Sequence, residues 1–168
     1  METSKKPDLY ALAQILSGAR VAYAIIGGIA VQVHQDEPRT TLDIDVVVPE
    51  RRRLPTAALR SAGFRETGSF EHSDNWQAPG GTPVQFTDDQ LLAEAIPRAL
   101  EIGLEDLRLR VLSAPDLLRA KLRAAADPAR RRSKRLQDLA DAQALIERDP
   151  ALADTLSPVE RAGLSTLP

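Results

Sequence analysis

The chain has 168 residues, enough for one domain, or one domain with a helical appendage, around a core that folds without staples. It contains no cysteine, which excludes disulfides and zinc–thiolate sites and removes any need for an oxidising compartment. With 22 basic and 24 acidic residues the net charge is −2, which argues neither for nor against nucleic acid, and an aromatic content of 4% argues against a base-stacking platform for single strands.

Met1 to Pro7 is polar and carries Lys5 and Lys6, with no apolar stretch of the signal-peptide kind behind it. No run approaches the roughly 18 apolar residues of a membrane span, so the expectation is a soluble, cytoplasmic protein. Pro7 and Asp8 open a helical pattern through Leu9, Leu12, Ile15 and Leu16, closed by Gly18. Val21 to Ile26 reads as a short buried strand bounded by Gly27-Gly28, and Ile29 to Gln35 as a short helix beginning on those glycines. Leu42 to Val48 is a second strand, stopped by Pro49, and Pro55 through Ala62 a helix ending at Gly63. Phe64 to Phe70, Trp76 to Ala78 and Val84 to Thr87 are separated by turn residues, as hairpin strands are. Asp88 and Asp89 start a helical pattern through Leu91, Leu92 and Ala95, and Leu107, Leu109 and Val111 alternate as one more strand.

The rest is helical. Ser113-Ala114-Pro115-Asp116 is a helix start, and the helix runs through Leu117, Leu118, Lys121 and Leu122 until Asp127-Pro128. A second carries Leu136, Leu139, Ala142 and Leu145; the tail after Pro150 reads as a small cap or a partly disordered segment. The fold class is therefore α+β: a mixed sheet with flanking helices in residues 1–112, then a helical region in residues 113–168.

Positive charge is clustered. Arg51 to Arg53 form one run, and Arg130, Arg131, Arg132, Lys134 and Arg135 another. Each is a candidate phosphate contact, and equally a solvated face. Lysine is scarce: only Lys5, Lys6, Lys121 and Lys134 occur among the 22 basic residues. Lys121 therefore stands out as a position where a compact ammonium is used in place of a guanidinium fork, with a chance surface lysine as the plain alternative.

The pattern that carries chemistry is strand, Gly27-Gly28, helix, then Asp43-Ile44-Asp45 on the next strand. Glycines at such a turn let backbone N–H groups approach a phosphate, and the helix N-terminus favours the negative charge. Alternation along a strand sends Asp43 and Asp45 to one face, about 7 Å apart, where two carboxylates can converge on a hard cation such as Mg²⁺ or Mn²⁺. Ile44 and Val46 to Val48 make that strand look buried; pairing of one acid with Arg39 is the structural alternative. Asp138 and Asp141 share a helix face, which is also the spacing of ordinary salt bridges.

Ile25-Ile26-Gly27-Gly28-Ile29-Ala30 followed by Arg39-Thr40-Thr41-Leu42-Asp43-Ile44-Asp45 resembles the polymerase-β-like nucleotidyltransferase superfamily. The R-x-T-x-D-x-D form, Lys121 in its Leu-x-x-x-Lys-Leu setting, and the basic stretch leading into Asp138-Leu139-Ala140-Asp141 are similar to the small bacterial AbiEii-type toxin nucleotidyltransferases. The resemblance implies a minimal nucleotidyltransferase fold and transfer of a nucleotide from an NTP to an acceptor. It implies Mg²⁺ (or Mn²⁺) on Asp43 and Asp45, the nucleotide on Gly27, Gly28, Arg39 and Thr41, and Lys121, Asp138 and Asp141 as further active-site residues. It also implies an antitoxin partner. RNA, a protein hydroxyl and a small molecule all stay open as the acceptor. One departure stands out. Many members carry a third acid on a later strand, and here that place falls on Gln85, a neutral amide that cannot take a proton as a carboxylate does. Gln85 is the support for the alternative of a catalytically degenerate nucleotide-binding or protein-interaction module.

Overall fold

The computed structural model describes residues 5–37 and 40–168. They fall into two compact units, one of Met1–Ala30 and Pro38–Leu112, the other of Val31–Glu37 and Ser113–Pro168.

The first unit is built on a seven-stranded mixed sheet of order β3-β4-β5-β2-β1-β7-β6. The strands are β1 (Ala24–Ile26), β2 (Ile44–Val47), β3 (Arg65–Ser69), β4 (Asp74–Gln77), β5 (Pro83–Thr87), β6 (Leu100–Leu104) and β7 (Leu107–Val111). Only β2–β5 and β1–β7 pair in parallel; the other neighbours are antiparallel. Ile44, Val46, Val84, Phe86 and Trp76 alternate onto one face and are buried, which is why β-branched and aromatic residues sit at those positions. The helix α1 (Lys6–Gly18) buries Leu9, Leu12 and Leu16 at three- and four-residue spacing and packs against β7 and α3 (Thr56–Ser61); the short α4 (Gln90–Ala93) follows β5 on the cap of Asp89.

Two polar fastenings hold loops to this core. Buried Asp8 accepts hydrogen bonds from the backbone N–H groups of Gly80 (2.9 Å) and Thr82 (3.3 Å), fixing the β4–β5 turn to α1. Arg51 donates through Nε to Asp88 at 2.8 Å, and from its terminal nitrogens to Asp74 at 3.0 Å, the Phe70 carbonyl at 3.0 Å and the Glu71 carbonyl at 2.7 Å. The hydrogen bond to Asp88 lifts the guanidinium above its ordinary value against the effect of burial. Burial pushes the Asp88 carboxyl up, but the hydrogen bonds from Arg51 outweigh it and hold the group below the ordinary carboxylate value. The first member of the 51–53 basic run is thus a staple for the β3–β4 hairpin.

The second unit is an α-helical pair with a cap. Helix α5 (Ala114–Ala126) starts on Ser113, whose side chain accepts from Asp116 N–H, and α6 (Arg132–Arg148) packs along it. Leu117, Leu118, Leu122 and Ala125 meet Leu139, Ala142 and Leu145 in its core. The tail is ordered: a 3₁₀ segment, Pro150–Thr155, buries Leu152, and a short helix, Pro158–Gly163, starts on a capping box of Ser157 and Glu160.

Candidate functional site

Chain reversal at the end of β1 requires no loop. Ile26 ends the strand and Gly27 begins the helix α2 (Gly27–His34), at φ +65°, a backbone conformation that only glycine adopts without strain. The register Ile26↔Asp45 brings this turn beside the middle of β2. A Cβ built on Gly27 would lie 2.2 Å from Asp45 Oδ2. The glycine is therefore demanded twice, by its backbone angle and by the carboxylate against its Cα. Gly28 follows in the first turn of α2 and is buried.

Asp45 is half-buried, while Ile44 and Val46 on either side of it are fully enclosed. Asp43 is exposed at the N-terminal lip of β2, and Thr41 Oγ1 donates to its backbone carbonyl at 3.4 Å. Arg39 lies outside the described residues. Gln85 stands in register with Asp45 across the parallel β2–β5 pair, so its exposed side chain shares the carboxylate's face. The amide of Gln85 and the carboxylate of Asp45 form one polar strip on the side of the sheet opposite Trp76 and Phe86.

In the second unit, Lys121 of α5 meets both acids of α6: its Nζ lies 3.0 Å from Asp138 Oδ1 and 2.8 Å from Asp141 Oδ2. Arg130 Nε donates to Asp138 Oδ2 at 2.6 Å, and Gln137 donates to Asp141 Oδ1 at 3.1 Å. Asp138 and Asp141 are 2% and 3% exposed, so two carboxylates sit nearly dry and are balanced by two cations. Arg130 was grouped in the sequence with a solvated or phosphate-binding run; here it is committed to a buried acid. Arg135 likewise gives its Nε to the Ala125 carbonyl at 2.8 Å. Arg131, Arg132 and Lys134 remain exposed.

Among the described residues no cluster of three or more His, Cys, Asp or Glu side chains is gathered for a metal. The donor set available in the first unit is the pair Asp43 and Asp45. No helix of the described residues is long and apolar enough to cross a membrane.

Residues 10–164 match the family described as "Nucleotidyl transferase AbiEii toxin, Type IV TA system". No curated protein matches the sequence. Among solved structures, the chain is similar to the antibiotic-resistance factor ANT(2″)-Ia, with a TM-score of 0.69 at 17% identity over 98% of this chain and 93% of that one. An antigenic nucleotidyltransferase-like protein from Paracoccidioides brasiliensis gives a TM-score of 0.59 at 24% identity, covering 96% of this chain and 92% of its own. The lincosamide antibiotic adenylyltransferase LnuA gives 0.58 at 13% identity, covering 83% of this chain and 97% of its own. These likenesses establish a nucleotidyltransferase fold.

Proposed function

The chain belongs to the AbiEii nucleotidyltransferase family, and from that premise we propose that it transfers a nucleotide from a metal-bound NTP to an acceptor hydroxyl at the Gly27–Asp45 site. The observation that carries this reading is the fit of the turn to the acid. A Cβ at Gly27 would lie 2.2 Å from Asp45 Oδ2, so the position is kept bare beside the carboxylate. That is the cradle a polyphosphate needs: backbone N–H groups at a helix start, next to the acids that share its cation.

The residues fit a hard divalent ion. Asp43 and Asp45 offer oxygen donors only, one exposed and one half-buried, and Mg²⁺ takes one or two carboxylates together with phosphate oxygens and water. Bound there, Mg²⁺ supplies charge neutralisation for the triphosphate and its leaving pyrophosphate. The protein's own part is positioning. Gly27 and Gly28 present the N-terminus of α2 to phosphate, Ile44 and Val46 lock the acids onto a rigid strand, and Thr41 braces the backbone at Asp43. In the transfer itself the acceptor oxygen bonds to the α-phosphorus, the bond from that phosphorus to the bridging oxygen breaks, and pyrophosphate leaves with the electron pair. Gln85 takes no proton, so the hydroxyl proton passes to water.

Lys121, Asp138 and Asp141 are proposed as the second set of site residues, with Lys121 held by both carboxylates as a fixed positive charge for the nucleotide. RNA is the proposed acceptor, met electrostatically by Arg131, Arg132 and Lys134. An antitoxin is the proposed protein partner, as the family's description as a toxin implies. A catalytically degenerate nucleotide-binding module is the second reading, favoured by the amide of Gln85 in register with Asp45.

The test is Asp43→Asn, which removes a charge and keeps the shape of an exposed side chain. Calorimetry with each Mg²⁺-NTP should show at least tenfold weaker binding than wild type, with an unchanged melting curve. Unchanged Mg²⁺-NTP affinity in the variant would remove the metal role. Intact binding by the wild type, without label transfer to total RNA or lysate, would favour the degenerate module.

A further inference from the structure

An open sheet ends in edge strands, and each edge presents a row of unpaired backbone groups that proteins normally blunt. This sheet ends in β3 on one side and β6 on the other. The β3 edge is blunted. Its register to β4 is broken between Glu66 and Gly68, and the adjacent Arg65 and Glu66 put an ionised side chain on each face. The β6 edge carries none of these devices. Its register to β7 is unbroken, and Leu100-Glu101-Ile102-Gly103-Leu104 holds neither proline nor lysine.

The turn fixes which backbone groups face outward. Glu105 and Asp106 form a two-residue loop, so Leu104 and Leu107 close it by exchanging both backbone hydrogen bonds, and the pairs alternate from there. Leu100, Ile102 and Leu104 therefore direct their backbone groups to β7, while those of Glu101 and Gly103 point away from the sheet. The side chains add two observations. Leu100 is 46% exposed and Ile102 half-buried, although they share a face with Val111 and Leu109, which are fully enclosed. The apolar layer thus runs out to this edge and is only partly covered there. Gly103 is the second. Its φ is not positive, and a Cβ on it would meet nothing within 4 Å, so its own chain gives no reason for a glycine. Glycine inside a strand weakens it and marks places where another backbone comes close.

We propose that β6 is the interface of a homodimer, pairing antiparallel with β6 of a second copy about a two-fold axis at Ile102. Charge selects both the partner and the register. With only Glu101 and Gly103 offering outward backbone groups, three central registers are available. Glu101 opposite Glu101 sets like charges against each other. Gly103 opposite Gly103 brings Glu101 against Glu105, which does the same. Glu101 opposite Gly103 avoids both and sets Ile102 against Ile102. In that register the bare glycine does what a side chain would prevent. Exposed Arg108 stands in register with Gly103 and already reaches diagonally to Glu101 of its own copy at 2.6 Å. Across Gly103 it also faces Glu101 of the second copy, so arginine and glutamate alternate around the axis. The apolar faces of both copies then join on one side of a continuous sheet.

Sedimentation velocity on the whole chain over a rising concentration series tests this. Wild type should move from 18.3 kDa towards twice that mass. Glu101→Arg gathers only arginine at the axis and Arg108→Glu only glutamate, so each variant alone should dimerise at least about tenfold more weakly. Mixed in equal amounts, the two should recover the wild-type dimer. The pairing of Arg108 with Glu101 inside one chain is lost in both variants and stays lost in the mixture, so recovery reports the interface alone. Gly103→Pro removes an outward N–H and leaves the bonds to β7, so it should stay monomeric with a wild-type melting curve. A wild type that remains at 18.3 kDa at every concentration overturns the proposal. So does a dimer that persists in folded Gly103→Pro, or a mixture of the two folded charge variants that fails to associate.

Discussion

Gly27 carries more of the proposed chemistry than any charged residue near it. Alanine there would place a methyl group 2.2 Å from Asp45 Oδ2, on a backbone at φ +65°. The left-handed backbone alone disfavours alanine by about 1–2 kcal/mol. The clash must then be relieved by turning the carboxylate away. Gly27→Ala is therefore expected to lower stability by at least that amount and to abolish Mg²⁺-NTP binding, as checked by thermal melting and calorimetry. Gly18→Ala is the control, because a Cβ at Gly18 meets nothing within 4 Å, and it should leave both measurements unchanged. This pairing of turn and acid was legible in the sequence because each half is a local pattern: two glycines after an apolar run, and acid-apolar-acid in a buried strand. The place of Asn75 in line with Gln85 and Asp45 was not, because only strand register reveals it, and register is a long-range property.

At the scale of elements, α5 and α6 are clasped through charge as well as through leucine. Lys121 reaches two carboxylates that are 2% and 3% exposed; without it Asp138 keeps Arg130 and Asp141 keeps the Gln137 amide, but the cation shared by the two acids is lost. Breaking such a buried set from one side costs about 3–5 kcal/mol. Lys121→Met should accordingly lower the melting midpoint by roughly 10 °C in a chain of this length. Lys121→Arg keeps the charge and should recover most of that stability. If the ammonium also serves the nucleotide, Lys121→Arg should still lose Mg²⁺-NTP affinity, because the fork presents its donors differently. Full affinity in that variant would reduce Lys121 to a counter-ion for α6. The scarcity of lysine pointed to this position from the sequence, but the burial of Asp138 and Asp141 did not follow from their spacing, which also suits exposed salt bridges. The strand β6 went unread for a related reason. Its hairpin to β7 turns on Glu105 at φ +54°, without the glycine or asparagine that marks such turns, although Leu100, Ile102 and Leu104 do alternate along it. The tail after Pro150 did carry a readable signal, the Ser157-x-x-Glu160 capping box, and it is the helical end of the second unit.

For the whole molecule, a net charge of −2 conceals a division of labour among cations. Arg51 and Arg130 are spent on Asp88, Asp74 and Asp138, so counting basic runs overstates what is available to a partner. Arg131, Arg132 and Lys134 are the exposed remainder of the second run, Arg132 with its Nε on the Pro168 carbonyl at 3.0 Å. If they meet an RNA backbone, three contacts predict a slope of log affinity against log salt near −2, since each phosphate neutralised on a single strand contributes about −0.7. Arg131→Ala with Arg132→Ala should flatten the slope to about −0.7 and weaken all sequences alike. Arg130 is left in place in that variant, because its loss would unpair a buried carboxylate and confound affinity with stability. A flat salt response in the wild type, or an unchanged slope in the double variant, would return the run to a solvated face.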